Sequence, residues 1–168
     1  MKTLITTFFL SFFILTGFAQ EKSRQQIKEE QKLAKQKVID ALVASKEYEF
    51  VADMAYPQGT RSISLTTNPN FLRFQKDTIH SEMPFFGRAF NVGYGGDGGL
   101  SFKGPIKDYS IKKGKKNYTI KASVKGNTDT YDIFLTIYFE GSANLSISST
   151  NRSSISYRGV VDKLEEKK

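Results

Sequence analysis

Across residues 48–161 the chain alternates apolar and polar side chains in short runs, and the links between runs are only a few residues long. A parallel neighbour needs a crossover of a dozen or more residues, so links this short force antiparallel pairing. Tyr48, Phe50, Ala52, Met54 and Tyr56 form the first run, which Pro57-Gln58-Gly59 ends. Ile63 with Leu65, then residues 71–75, then 79–83 follow, separated by Asn68-Pro69-Asn70 and Lys76-Asp77-Thr78. The pattern resumes at 100–112, where Gly104-Pro105 predicts a bulge because Pro lacks the ladder donor. Further runs occupy 118–124, 131–139, 145–147 and 155–161. The run at 131–139 also carries Phe134 and Tyr138 on its second face, which predicts a central strand covered on both sides. The pattern is mainly β: an antiparallel meander of about eight or nine strands forming a sandwich or open barrel, with one N-terminal helix.

That helix is expected within residues 20–45, a segment rich in Lys, Glu, Gln and Ala without Gly or Pro. Ile27, Ala34, Val38, Ala41 and Leu42 fall near helical spacing, and Ser23 is placed to cap the start. The first half has only Ile27 to bury, so the second half is the part expected to pack on the β domain, residues 46–161. Residues 162–168 read as a charged tail. Ahead of the helix, residues 1–19 have the form of a Sec signal peptide: Lys2, an apolar run from Leu4 to Leu15, and Gly17 and Ala19 at the −3 and −1 positions. The apolar run is shorter than the roughly 20 residues of a membrane span. No Cys follows it to take a lipid. The expected product is periplasmic or secreted, without a transmembrane anchor once the signal is cleaved.

Export gives the composition its meaning. The formal charge is +8, which points to anionic lipid, glycan or envelope-protein partners, while export argues against nucleic acid. With no Cys in the chain, thiol chemistry and Cys-ligated metal are closed off. His80 is the single histidine, and it falls in an expected strand rather than beside a nucleophile. There is no GxSxG elbow and no HExxH. Asp77, Asp97, Asp108, Asp129 and Asp132 are scattered without calcium-loop spacing. No catalytic residue, metal site or cofactor is assigned.

Residues 83–104 depart from the alternation by crowding Pro, Arg, aromatics and glycines together. Gly93-Tyr94-Gly95-Gly96-Asp97-Gly98 matches the letters GxGxxG, but that motif requires a helix N-terminus after it. Leu100-Ser101-Phe102 instead reads as a strand, so dinucleotide binding is rejected. Phe86, Arg88, Phe90, Tyr94 and Asp97 are the candidate ligand-binding residues, because Arg88 among aromatics can stack on a ring or grip a carboxylate. The plainer role for Arg88 is to tie the loop down through backbone carbonyls. Residues 103–125 hold eight lysines against one acid, Asp108. Lys112, Lys113, Lys115 and Lys116 crowd one hairpin tip as a candidate anionic surface, a placement that also discourages edge pairing and precipitation.

The Pro84-Phe85-Phe86-Gly87-Arg88-Ala89-Phe90 segment, the glycine-rich loop and the Ser154-Ile155-Ser156-Tyr157-Arg158-Gly159 run resemble the domain-of-unknown-function family 4251, small exported proteins of Bacteroidota. The resemblance covers residues 35–161. It implies an envelope or secreted location and a mostly β domain, and it implies no activity. Some relatives carry a lipoprotein Cys, which this chain lacks. Asp77-Thr78-Ile79 is similar to the Asp-Ser/Thr-aliphatic O-glycosylation acceptor of that lineage. Three functions are open: a non-enzymatic envelope module binding lipid, glycan or protein through an aromatic loop beside a lysine hairpin; an envelope hydrolase using paired carboxylates; or an assembly component recruited through the helix.

Overall fold

A computed structural model describes residues 23–66, 70–90, 98–126 and 129–164. Helix α1 spans Arg24–Ser45. Nine strands follow: β1 Glu47–Pro57, β2 Ile63–Ser64, β3 Phe71–Gln75, β4 Thr78–Met83, β5 Leu100–Lys113, β6 Asn117–Lys125, β7 Thr130–Tyr138, β8 Ser142–Ser149 and β9 Ile155–Lys163. All are antiparallel, in the order β2-β1-β3-β4-β5-β6-β7-β8-β9, and β9 pairs back onto β1 from Tyr48↔Lys163 to Pro57↔Ile155. Eight strands therefore close a barrel, and β2 lies outside as an extra strand on β1.

Closure decides for the barrel over the sandwich of the two expected forms, and shuts the barrel that was expected open. Short links dictate neighbours along the chain but not whether the last strand meets the first. That seam depends on Gly159, which sits between Val51 and Ala52 of β1 where any Cβ would collide with the Val51 carbonyl oxygen. A bulge between Ala52 and Met54 adjusts β1 at the same point. Closure also explains why β7 is not covered on both sides: a barrel has no middle strand, and Phe134 is 42% exposed on its outer face. The bulge of β5 falls between Lys107 and Ser110, where Asp108 has φ 49, rather than at Gly104-Pro105. Gly104 serves instead as a close-approach site, with a Cβ position 2.6 Å from the Lys125 carbonyl oxygen.

An eight-stranded barrel is just wide enough for side chains to fill it. Here they do. One row across the wall is Phe50, Leu72, Ser81 and Phe102; another is Ile120, Leu135, Leu145 and Tyr157, and all are buried. Tyr48 stacks on Phe74 with centroids 4.6 Å apart, and Phe102 on Tyr131 at 4.0 Å. The interior is a core.

One end of the barrel carries the β3–β4, β5–β6 and β7–β8 turns, and α1 leads into β1 there. Ser23 begins the helix by accepting from the Gln25 N–H while its own N–H reaches Gln26 Oε1, a reciprocal cap. The division between two compact units falls within α1, after Leu33. Residues 24–33 bury nothing. Beyond that point Ile39, Leu42 and Val43 are buried and join the barrel core. The buried stripe is thus turned from the expected one: Val38 is 53% exposed, one residue before a buried isoleucine.

Candidate functional site

The β4–β5 loop leaves from the opposite end of the barrel, beside the β8–β9 turn. Its path is set by backbone contacts: Arg88 N–H donates to Ser153 Oγ, Ser153 N–H to the Arg88 carbonyl, and Phe90 N–H to the Asn151 carbonyl. Ala89 and Arg152 form an isolated bridge. The Tyr157 hydroxyl, rising from the core, donates to the Pro84 carbonyl at 2.7 Å. Burial raises its pKa far above the ordinary phenol value, so it stays a neutral donor at any physiological pH.

Arg152, and not Arg88, is the arginine that ties the loop down. Its Nη1 donates to the Gly99 carbonyl at 2.5 Å, and its guanidinium lies 5.3 Å from the centre of the Phe85 ring. Phe85 packs against the core, while Phe86 is 39% and Phe90 72% exposed. Arg88 is also exposed, and its guanidinium engages none of the described residues. The site residues divide accordingly: Phe86, Arg88 and Phe90 project from one anchored segment, and Tyr94 and Asp97 lie outside the described residues. Sequence inspection missed Arg152 because its partners lie more than fifty positions away.

The lysine tip is not beside this loop. β5 begins where the loop ends and runs its full 14 residues, roughly 45 Å of strand, before reaching Lys113. The aromatic loop and the lysine hairpin occupy opposite ends of the barrel, which separates the two halves of the expected binding surface. Lys112, Lys115 and Lys116 are exposed at that tip. Lys113 is not available in the same way: its Nζ lies 3.0 Å from both Asp40 oxygens and stands over the Tyr118 and Phe139 rings. Tyr118 OH donates to Asp40 at 2.7 Å. That hydrogen bond, followed by Lys113 and opposed by partial desolvation, lowers the Asp40 pKa from its ordinary value.

Two of the cavities among the described residues lie on the outer surface. The larger, about 770 Å³, lies between α1 and the ends of β1, β3 and β9. The smaller, about 360 Å³, is a depression on β5–β8 that includes Asp108 and Asp132. Both carboxylates are exposed, whereas a general acid at neutral pH needs a shielded carboxyl. His80 is a cross-strand residue, set edge-on to Phe71 with Nε2 3.4 Å from Glu82. Thr78 opens β4, its hydroxyl donating to the Gln75 carbonyl. Among the described residues no group of three or more metal-ligating side chains occurs, and no helix is long and apolar enough to cross a membrane.

A crystal structure of a DUF4251 family protein from Bacteroides eggerthii has a similar fold, with a TM-score of 0.61 at 19% identity over 77% of this chain and 88% of that one. No functionally curated protein is significantly similar. The family model described as a domain of unknown function, DUF4251, matches residues 29–161, so most of α1 and all of the described barrel but the end of β9 fall within it, and the chain belongs to the DUF4251 family.

Proposed function

We propose that the protein is an exported, non-enzymatic binding module of the bacterial envelope, and that Phe86, Arg88 and Phe90 are its contact surface. The observation carrying this reading is the exposure of two phenylalanines on a segment whose backbone is fixed at both Arg88 and Phe90. Exposed aromatics cost solubility, and a rigid aromatic loses little conformational entropy on contact. Of lipid, glycan and protein, the chemistry favours an envelope protein, because aromatics and arginine are enriched at the centres of protein interfaces. The filled barrel leaves recognition to the outside. The signal-like pattern of residues 1–19 supports export.

The test uses the full chain in a cell that exports it, with a photoreactive phenylalanine analogue at Phe90. The protein is expected in the periplasm beginning at Gln20, and illumination is expected to give one discrete protein adduct that disappears when Phe86→Ser and Arg88→Glu are added. A cytoplasmic product, or an adduct pattern indifferent to those substitutions, rules the reading out.

A further inference from the structure

The larger cavity has a composition that selects its occupant. At about 770 Å³ it falls in the size range of small-molecule sites. Val38, Ala41 and Leu42 of α1 and Leu164, beyond β9, supply aliphatic lining, and none of the described residues that line it is aromatic. Val38 and Ala41 are exposed one helical turn apart on α1, and Leu42 at the edge of the buried stripe borders them.

The rim is cationic. Among the described residues Lys37, Arg73 and Lys163 line the groove with one acid, Glu47, and Lys76 lies 3.5 Å from that acid. Lys37 and Lys163 meet no carboxylate among the described residues. Arg73 is held in place: its Nε donates to Glu49, its guanidinium lies 3.8 Å from the centre of the Phe71 ring, and its side chain is only 26% exposed. Its terminal nitrogens donate to none of the described residues. A fixed guanidinium with an uncommitted edge matches a carboxylate, which it can receive with two parallel hydrogen bonds.

We propose that this groove binds a single-chain anionic amphiphile of the fatty-acid type. The acyl chain lies along Val38, Ala41, Leu42 and Leu164, and the carboxylate meets Arg73 with Lys37 and Lys163 beside it. A glycan would ask for an aromatic platform, and a polyanion would leave the aliphatic floor bare. The chain's own Glu165-Glu166-Lys167-Lys168 could satisfy the cations but has no apolar residue for the floor. The groove lies at the helix end of the barrel, so this inference stands apart from the aromatic loop.

The experiment titrates the mature full-length protein with a fluorescent long-chain fatty acid, then with its alcohol of equal chain length by displacement. Saturable 1:1 binding is expected, with the alcohol weaker by about tenfold or more. Val38→Asp, and separately Lys37→Glu with Lys163→Glu, are expected to weaken binding by a similar factor without moving the unfolding midpoint; all three sites are exposed, so folding is spared. Phe86→Ser is expected to bind like the wild type, and so is a chain ending at Leu164. Equal affinity for the alcohol, variants that bind unchanged, or binding that appears only in the shortened chain would each overturn the proposal, the last by making the tail the occupant.

Discussion

The two ends of the barrel are closed by different physics. At the loop end, the described parts of the cover, residues 84–90 and 98–99, lie outside the named strands and are held by directional bonds: Arg152 to the Gly99 carbonyl, Tyr157 to the Pro84 carbonyl, and the reciprocal Arg88–Ser153 pair. At the helix end, the cover is an aliphatic wedge of Ile39, Leu42 and Val43, with one polar latch from Asp40 to Tyr118 and Lys113. Hydrogen bonds specify a path while leaving side chains outside, so the loop end displays Phe86 and Phe90. A wedge uses one stripe of a helix and leaves the next uncovered, so the helix end displays Val38 above a cationic rim. Each mode of closure leaves its own kind of surface.

If this contrast holds, losing one directional bond at the loop end should be felt more than losing the latch at the helix end. Arg152→Ala removes a charged donor from a backbone carbonyl and is expected to lower stability by about 2 kcal/mol. Amide exchange near Gly98 and Gly99 should rise more than exchange in α1; a uniform rise would deny the loop its separate anchor. The buried tyrosines give a paired test. Tyr157→Phe leaves the Pro84 carbonyl unpaired at the loop end and should cost about 1 kcal/mol. Tyr48, fully buried near the helix end, has a hydroxyl with no described partner, and its pKa is raised chiefly by burial. Tyr48→Phe should therefore be neutral, or stabilise by about 0.5 kcal/mol. Denaturant midpoints of the two variants that move together would erase the distinction.

The smallest effect belongs to the latch. Asp40 is about a third exposed, so solvent screens the interaction, and Asp40→Asn should cost about 0.5 kcal/mol near neutral pH. The folded pKa of Asp40 lies below its ordinary 3.8. Its contribution is therefore complete above that value and is lost as pH falls through the folded pKa. Wild type and Asp40→Asn should begin to converge in stability only as pH falls below 3.8, and should meet once it has passed the folded pKa. A gap that persists in acid would assign the latch to shape rather than charge.

Much of the wall was legible because strand periodicity is a local property. Tyr48, Phe50 and Ala52 face inward as their alternation requires, and so do Tyr118, Ile120, Ala122 and Val124. Turn residues set the links between neighbours. The candidate sites were legible only by composition. Lys112, Lys113, Lys115 and Lys116 stood out as a cluster, yet Lys113 is engaged by an aspartate 73 positions earlier. Arg88 looked like the anchor because it sits among the aromatics, whereas Arg152 reaches that loop from another turn.

The sequence by itself determined an antiparallel meander, a leading helix and a chain without thiol chemistry, since alternation, turn chemistry and composition act over a few residues or none. Only the tertiary structure decided that β9 meets β1, that the aromatic loop and the lysine tip lie at opposite ends, and that Val38 borders a groove rather than the core. Those outcomes depend on contacts between residues far apart in the chain, above all Gly159 against Val51 and Ala52, where a missing side chain lets two backbones approach.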